Sequence, residues 1–135
     1  MRISFIGAGH ITELLINHLV SDVMFEADDL TISDPDGNRC AELKRRFGVS
    51  VAADNCEAVS RSDFTFVCVQ PHIVRKVIDE LKDTCLRGRI LISVSAGIST
   101  GLYRSELPDA VVARILPNPP SGIGEGAIPV TISGN

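Results

Sequence analysis

The sequence has no long apolar run and no basic stripe. Its longest uncharged stretch, residues 90–103, is rich in Ser and Gly and is shorter than the roughly 20 apolar residues that cross a bilayer. Basic and acidic residues are mixed along the chain, with a formal net charge of -4. We therefore expect no membrane and no nucleic-acid partner. We also expect no signal peptide, because the apolar residues after Arg2 soon end at a glycine.

Closely spaced cysteines are also absent, since the four cysteines are scattered and none forms a CxxC pair. This spacing excludes the common zinc motifs and argues against a disulfide framework. It is typical of reduced thiols in a cytoplasmic protein, which is the location we expect. Cys68 lies in an apolar run, where burial disfavours a reactive thiolate. The sequence offers no metal-ligand cluster, no Ser-His-Asp set and no carboxylate pair, so we expect no metal site.

What the 135 residues do contain is an ordinary globular composition, with 44% hydrophobic and 22% charged residues. Apolar segments of strand length alternate with segments of helical period. We predict strands at 2–6, 30–33, 49–54, 63–69, 89–95, 110–116 and 127–133, and helices at 10–20, 34–48, 71–86 and 99–106. This alternation predicts one α/β domain over residues 1–135, with a Rossmann-like, doubly wound, mostly parallel sheet and helices on both faces.

Three helices have an expected inner face. The apolar positions at helical spacing are Ile11, Leu14, Leu15 and Leu19 in the first, Cys40, Leu43 and Phe47 in the second, and Val74, Val77, Ile78, Leu81 and Cys85 in the third.

The stretch IGAGHIT, residues 6–12, lies where the first strand meets the first helix. Gly7 would allow a tight turn there, and Gly9 would let the backbone approach a pyrophosphate at the helix N-terminus. The third position of this fingerprint is usually Gly or Ala, and here it is Thr12. The context of a first βαβ unit favours dinucleotide binding over a purely structural turn.

Asp34 ends the second strand, where a carboxylate can accept hydrogen bonds from the adenosine ribose. An acid at this place favours NAD, whereas Arg39 can receive the 2′-phosphate of NADP. Asp34 can also cap the helix that follows. The choice between NAD and NADP stays open at this point.

Four motifs together resemble the amino-terminal domain of the pyrroline-5-carboxylate reductases, the NAD(P)H-dependent enzymes that make proline. They occur in the family's order and at similar spacing. They are FIGAGHI at 5–11, CVQPH at 68–72, SVSAGI at 93–98 and ILPNPPSGIGEGA at 115–127.

The resemblance implies positions for the cofactor. It assigns Ile6, Gly9, His10 and Ile11 to the pyrophosphate turn, Asn55 to the adenosine end, Val69, Gln70 and Pro71 to the length of the cofactor, and Ser95, Ala96 and Gly97 to the nicotinamide. Pro117 and Asn118 would border the place of hydride transfer, where flanking prolines stiffen the Asn118 side chain.

The chain departs from the family at four places, with His10 for Asn, Gln70 for Lys, Pro119 for Thr and Thr12 for a small residue. The family's second, helical domain, which forms the homodimer and the imino-acid pocket, is not expected within these residues.

We therefore expect the NAD(P)H-binding domain of a pyrroline-5-carboxylate reductase-like oxidoreductase, with little activity by itself. The alternatives are a non-catalytic stand-alone dinucleotide-binding module and a related NADP-dependent oxidoreductase, such as a deazaflavin-dependent reductase.

Overall fold

The computed structural model describes residues 1–116 and 130–133. Its strands are β1 (Ile3–Ile6), β2 (Leu30–Ser33), β3 (Ser50–Val51), β4 (Phe64–Val67), β5 (Ile90–Ser93), β6 (Val111–Ile115) and β7 (Val130–Ser133). Its helices are α1 (His10–Ser21), α2 (Gly37–Phe47), α3 (Asn55–Ser60), α4 (Pro71–Leu81) and α5 (Thr100–Glu106), with one 3-10 turn at Ala27–Asp29.

The described strands form one sheet in the order β3-β2-β1-β4-β5-β6-β7. All neighbours from β3 to β6 pair in parallel. β7 pairs antiparallel with β6, with Ile115 opposite Val130. The predicted Rossmann-like, mostly parallel sheet is confirmed. The direction of β7 was not predictable, because the alternation of a strand is the same in either direction.

Helices cover both faces of this sheet. On one face α1 and α2 pack into a core that contains Ile16 and Leu43. On the other face α3, α4 and α5 pack into a core that contains Val59, Ile78 and Tyr103. The predicted double winding is therefore confirmed, and each face buries its own apolar cluster.

The buried face of α1 differs from the predicted one. Thr12 and Ile16 are its fully buried residues, whereas Ile11 and Leu14 are half-buried. The Oγ1 of Thr12 donates a hydrogen bond to the Gly7 carbonyl at 2.6 Å, and a hydroxyl with a partner is readily buried. Leu15 and Leu19 of the predicted stripe do pack against this core, whereas the prediction omitted the apolar Ile16 and the hydrogen-bonded Thr12.

α2 begins one turn later than predicted. Asp36, and not Asp34, caps it, because the Asp36 carboxylate accepts hydrogen bonds from the backbone N–H groups of Asn38 and Arg39. Gly48 ends the helix with a φ of 77°, in the left-handed region. The predicted capping role of Asp34 is therefore replaced by another one, described below.

Two further predictions were wrong at the ends of elements. α4 ends at Leu81, so Cys85 is exposed beyond it. The strand expected at 49–54 contains only β3, and α3 follows at once. The rest of the predicted inner face of α4 is buried, and it consists of Val74, Val77, Ile78 and Leu81.

α3 begins with reciprocal capping contacts. Asp54 accepts a hydrogen bond from the N–H of Glu57 at 2.7 Å, and Glu57 accepts one from the N–H of Ala53 at 2.5 Å. An acid three residues before Glu is a known signal of a helix start, so the sequence did contain a sign of α3.

No helix within residues 1–116 and 130–133 has the length and apolar content that a membrane crossing needs. The four cysteines are free, and Cys40 is buried whereas Cys85 is exposed.

The orientation of α1 predicts a difference between two substitutions. Ile16→Ala removes a side chain with 0% exposure, and we expect it to lower the free energy of unfolding by about 2–5 kcal/mol. Leu14→Ala removes a half-buried side chain and should cost about half as much or less. Urea unfolding followed by circular dichroism measures both. A larger cost for Leu14→Ala than for Ile16→Ala would mean that α1 faces the sheet as the apolar pattern alone predicted.

Candidate functional site

The carboxyl ends of β1, β2 and β4 meet at one edge of the sheet. β1 lies between β2 and β4 in the sheet. The chain passes from β1 to β2 and β3 on one side of β1, and then crosses to β4 on the other side. In open α/β sheets, ligands bind in the crevice at such a switch point. A cavity of about 50 Å³ lies here and is lined by Ile6, Gly7 and Val69 among others. A larger cavity of about 380 Å³ adjoins it and lies between the chain that follows β2 and β3 and the outer side of α4. We call the two together the cleft.

Gly7 makes the turn out of β1. Its φ is 99°, and an added Cβ would lie 2.8 Å from the carbonyl oxygen of Cys68. Its N–H donates to the carbonyl of Ser33 at 2.8 Å. Only glycine fits this conformation and this distance. The turn is therefore held against the ends of both neighbouring strands, and Gly7 and Ile6 line the cleft.

Gly9 precedes α1 and leaves space above the helix N-terminus. No side chain caps α1, and a Cβ on Gly9 would meet nothing within 4 Å. The first N–H groups of a helix have no partner inside it. They carry the positive end of the helix dipole, which suits an anion such as a pyrophosphate. His10 is exposed at this end, and Ile11 is half-buried.

Thr12 occupies the third fingerprint position without opening the turn. It has 0% exposure, and its hydroxyl donates to the Gly7 carbonyl at 2.6 Å. The hydroxyl thus links the first turn of α1 to the glycine loop. The departure from Gly or Ala is accommodated by this hydrogen bond.

Both backbone polar groups of Ala8 are hydrogen-bonded to side chains from the segment that follows β2. Its N–H donates to Asp34 Oδ2 at 2.8 Å, and its carbonyl accepts from Arg39 Nε at 2.8 Å. The other oxygen of Asp34 accepts from the N–H of Asp36 at 2.8 Å. An ionised carboxylate has about four acceptor positions, so Asp34, which lines the cleft, keeps about two for a ligand.

Arg39 belongs to a network of ions between α1 and α2. It pairs with Glu13 and with Glu42, and Arg46 pairs with the same two carboxylates. Hydrogen bonds from Arg39 and then Arg46 hold the pKa of Glu13 below its usual value. The hydrogen bonds that Arg39 donates to Glu13 and Glu42 raise the pKa of Arg39. Arg39 is absent from the residues that line the cleft.

Asn55, the first residue of α3, joins the two walls of the cleft. Its Oδ1 accepts from Ser33 Oγ at 2.8 Å, and its Nδ2 donates to Glu80 at 2.5 Å. These two hydrogen bonds connect β2, α3 and α4 at the cleft.

The loops after β4 and β5 are also linked. The hydroxyl of Ser95 donates to the carbonyl of Val69 at 2.6 Å, and Val69 lines the smaller cavity. Ala96 and Gly97 are exposed beyond Ser95, with Gly97 at a φ of 74°. Gln70 and Pro71 are exposed at the start of α4 and do not line the cleft.

Sequence reasoning missed several residues of the cleft. Lys76 and Glu80 lie one turn apart on α4 and line both cavities. Ser33 also lines both, and Asp54 lines the larger one. No sequence pattern signalled Lys76 or Glu80, because they look like ordinary exposed charges opposite the buried stripe of α4.

Cys68 is unsuited to nucleophilic chemistry, as predicted. Burial raises the pKa of its thiol to about 12, against a hydrogen bond from Thr12 that lowers it. Burial likewise raises the pKa of Cys40. No group of three His, Cys, Asp or Glu side chains in the described part of the chain is arranged to hold a metal ion.

Pro117, Asn118 and Pro119 lie outside the described residues. Their predicted place beside the nicotinamide stays a prediction, as do the cofactor contacts of the residues above.

Comparison with known proteins agrees with this geometry. Residues 2–97 match the sequence model of the family described as NADP oxidoreductase, coenzyme F420-dependent. The chain belongs to this family. Pyrroline-5-carboxylate reductase 3 of Danio rerio is 33% identical over 129 residues, which are 95% of this chain and 44% of that protein. The pyrroline-5-carboxylate reductase of Synechocystis is 27% identical and matches 93% of this chain and 47% of that protein.

Solved structures show the same fold. The pyrroline-5-carboxylate reductase of Coxiella burnetii superimposes with a TM-score of 0.88 at 25% identity, over 98% of this chain and 49% of that one. The pyrroline carboxylate reductase of Plasmodium falciparum, solved with NADP bound, gives 0.85 at 20% identity, over 100% of this chain and 49% of that one. The chain thus spans about half the length of these relatives, and the resemblance to their family is confirmed.

The residues of the cleft fit the cofactor of this family, a nicotinamide dinucleotide. The space above Gly9 and the uncapped start of α1 suit its pyrophosphate. The free acceptor positions of Asp34 suit ribose hydroxyls. The chain is an NAD(P)-binding domain like that of a pyrroline-5-carboxylate reductase.

The two glycines of the turn should respond differently to alanine. Gly7→Ala forces a left-handed φ and a Cβ contact of 2.8 Å with backbone, and should cost about 2 kcal/mol of stability or more. Gly9→Ala meets no atom and should change stability by less than about 1 kcal/mol. Its methyl group would occupy the space above the helix N-terminus, and should weaken NADH binding about tenfold or more.

Thermal unfolding and calorimetric titration with NADH measure the two effects separately. If Gly9→Ala bound NADH as tightly as the unaltered chain, the turn would serve the fold alone.

Proposed function

We propose that the protein containing this chain reduces a small cyclic imine, of the pyrroline-5-carboxylate type, with NADH or NADPH. The chain provides the cofactor-binding half. The observation that carries this proposal is the cleft at the switch point between β1 and β4, with an uncapped helix N-terminus on one side and Asp34 on the other. The relatives named above support the substrate class.

The dinucleotide, when bound, supplies the hydride, so the protein needs neither a nucleophile nor a metal for this reaction. The start of α1 would bind the pyrophosphate, and Asp34 and Asn55 the adenosine end. The Ser95–Val69 hydrogen bond fixes two loops against each other at 2.6 Å. We propose that the nicotinamide lies along these loops, beside Ala96 and Gly97, where rigid walls set its distance and face.

The departures from the family bear on the substrate. Gln70 replaces a lysine and is exposed at the start of α4, so this chain lacks one positive charge near the cofactor. Pro119 replaces a threonine and removes a hydroxyl and an N–H. We propose that the imine reduced here differs from pyrroline-5-carboxylate in the polar group that these residues would meet.

The assembly and location follow from the family and the composition. We propose a homodimer that forms the imino-acid pocket, and a cytoplasmic location in keeping with the four free cysteines.

The proposal is tested by titration and by turnover. Calorimetry of the chain with NADH and NADPH should show one binding site for at least one of them. Oxidation of the dinucleotide with pyrroline-5-carboxylate, followed at 340 nm, should be far below about 1 per second for the chain alone, because the substrate is not held beside the cofactor. When the family's helical domain is present, turnover should reach ordinary enzymatic rates with at least one cyclic imine, and a cyclic imine that differs in the polar group that Gln70 and Pro119 would meet should be reduced faster than pyrroline-5-carboxylate.

Other results would favour the alternatives. Binding with no turnover of any cyclic imine by the longer protein would favour a stand-alone binding module. Turnover only with a reduced deazaflavin would favour the second type of oxidoreductase. No heat with either dinucleotide at millimolar concentration would overturn the proposal.

Asn118 has a testable part in this function. If its amide orients the carboxamide, the substrate or a water, Asn118→Ala should reduce turnover about tenfold or more, a loss of about 1.4 kcal/mol of transition-state stabilisation. The unfolding temperature should hardly change. Asn17→Ala, on the exposed side of α1, is the matched control and should leave turnover unchanged. Full turnover in Asn118→Ala would show that the Asn118 side chain has no part in the reaction.

A further inference from the structure

We propose that the cleft selects NADH over NADPH, that Asp34 and Glu80 determine this specificity, and that Arg39 is a positioning residue and not a phosphate receptor. The inference rests on the proposed binding of a nicotinamide dinucleotide. It concerns the single group by which the two cofactors differ, the phosphate on the adenosine ribose.

The charges of the cleft disfavour that phosphate. Among the described residues, the larger cavity is lined by three carboxylates, those of Asp34, Asp54 and Glu80, and by one ammonium, that of Lys76. A phosphate monoester carries about 1.5 to 2 negative charges at pH 7. Within a cleft that is already net negative, this group meets repulsion that the hydroxyl of NADH does not.

Arg39 is not free to offset that charge. Its Nε donates to the Ala8 carbonyl at 2.8 Å, and its two terminal nitrogens pair with Glu13 and Glu42. Glu13 is shared with Arg46 at 2.6 Å, so a phosphate would compete with carboxylates already held in a four-residue network. The guanidinium instead fixes the Ala8 carbonyl in the turn proposed to bind the pyrophosphate. NADH and NADPH have this pyrophosphate in common.

Asp34 binds the backbone N–H of the same residue, Ala8. Each of its oxygens accepts one backbone N–H at 2.8 Å, from Ala8 and from Asp36. The acceptor positions that remain match two ribose hydroxyls and repel a phosphate. Because both oxygens of Asp34 accept backbone hydrogen bonds, the carboxylate cannot rotate away from a phosphate without breaking them.

Glu80 adds a second carboxylate from the opposite wall. One of its oxygens accepts from the Asn55 amide at 2.5 Å, which directs the group into the cleft. Lys76 lies four residues earlier on α4, and its ammonium has no partner among the described residues. This cation is the one rival receptor on the cleft's described walls. The negative charge of Glu80, on the same helix face, balances the positive charge of Lys76. The negative charges of Asp34 and Asp54 are then not balanced by any cation in the described lining of the cleft.

The test is calorimetric titration of the chain with four probes: NADH, NADPH, 5′-ADP and adenosine 2′,5′-bisphosphate. NADH should bind about tenfold tighter than NADPH or more, and 5′-ADP tighter than the bisphosphate, because the extra phosphate alone causes the difference. NADPH binding equal to or tighter than that of NADH would overturn the inference and leave the proposed function intact. No heat with any probe would overturn both.

Variants then identify the residues. Glu80→Gln keeps an oxygen for Asn55 and removes the charge, and should tighten NADPH binding about threefold or more relative to NADH. Asp83→Asn is the charge-matched control, exposed after α4 and outside the cleft lining, and should leave the ratio of the two affinities unchanged. An unchanged ratio in Glu80→Gln would overturn the role of Glu80.

Arg39→Gln and Lys76→Gln test the two rival phosphate receptors. Arg39→Gln should weaken NADH and NADPH by the same factor, since it acts through the turn that both share. Arg39→Lys should restore part of this loss if its ammonium reaches the Ala8 carbonyl. Lys76→Gln should weaken NADPH relative to NADH only modestly, by about threefold, because it removes one positive charge from the lining of the cleft. A loss confined to NADPH in Arg39→Gln, or one far larger than this in Lys76→Gln, would make that residue the phosphate receptor and would overturn the proposed selectivity.

Discussion

The turn from β1 into α1 passes so close to the chain leaving β4 that only a hydrogen atom fits at Gly7. A methyl group there would lie 2.8 Å from the Cys68 carbonyl. This close approach, together with the hydrogen bond from the Gly7 N–H to the Ser33 carbonyl, fixes the start of α1 beside the ends of β1, β2 and β4. The hydroxyl of Thr12 holds the turn from the helix side at 2.6 Å. The edge of the sheet that holds the cleft therefore depends on this one tightly packed backbone turn.

The segment after β2 supports the same turn from outside. Asp34 and Arg39 bind the backbone N–H and the backbone carbonyl of the same residue, Ala8. A residue expected to select the cofactor is thus also part of the scaffold of the pyrophosphate site. Replacing Asp34 would change the charge of the cleft and loosen the turn at once, so its effects on specificity and on affinity are coupled. Glu80, on the opposite wall, contacts a side chain and not the turn, which makes its charge separable.

The sequence was sufficient to predict the strands and the turn between β1 and α1. It was insufficient to predict which side chains line the cleft. Strands such as Leu30–Ser33 were predictable because short apolar runs ended at glycine or aspartate. α3 was missed although Asp54 and Glu57 signalled its start. The buried Thr12 was misjudged because its partner, the Gly7 carbonyl, is known only once the turn is folded. Lys76 and Glu80 had no signal, since nothing local shows that the outer side of α4 faces a ligand.

The role of Arg39 shows why such residues resist prediction. Its distance along the sequence from Asp34 is that of a residue able to meet the ribose phosphate of NADP, and the sequence alone allows it. Its partners Glu13 and Ala8 come from α1, which the fold brings beside α2. An arginine is always charged and has five donors in a rigid fork. Its function therefore depends on which acceptors the fold places beside it. Here the acceptors belong to the protein, because the ion network between α1 and α2 engages both terminal nitrogens of Arg39.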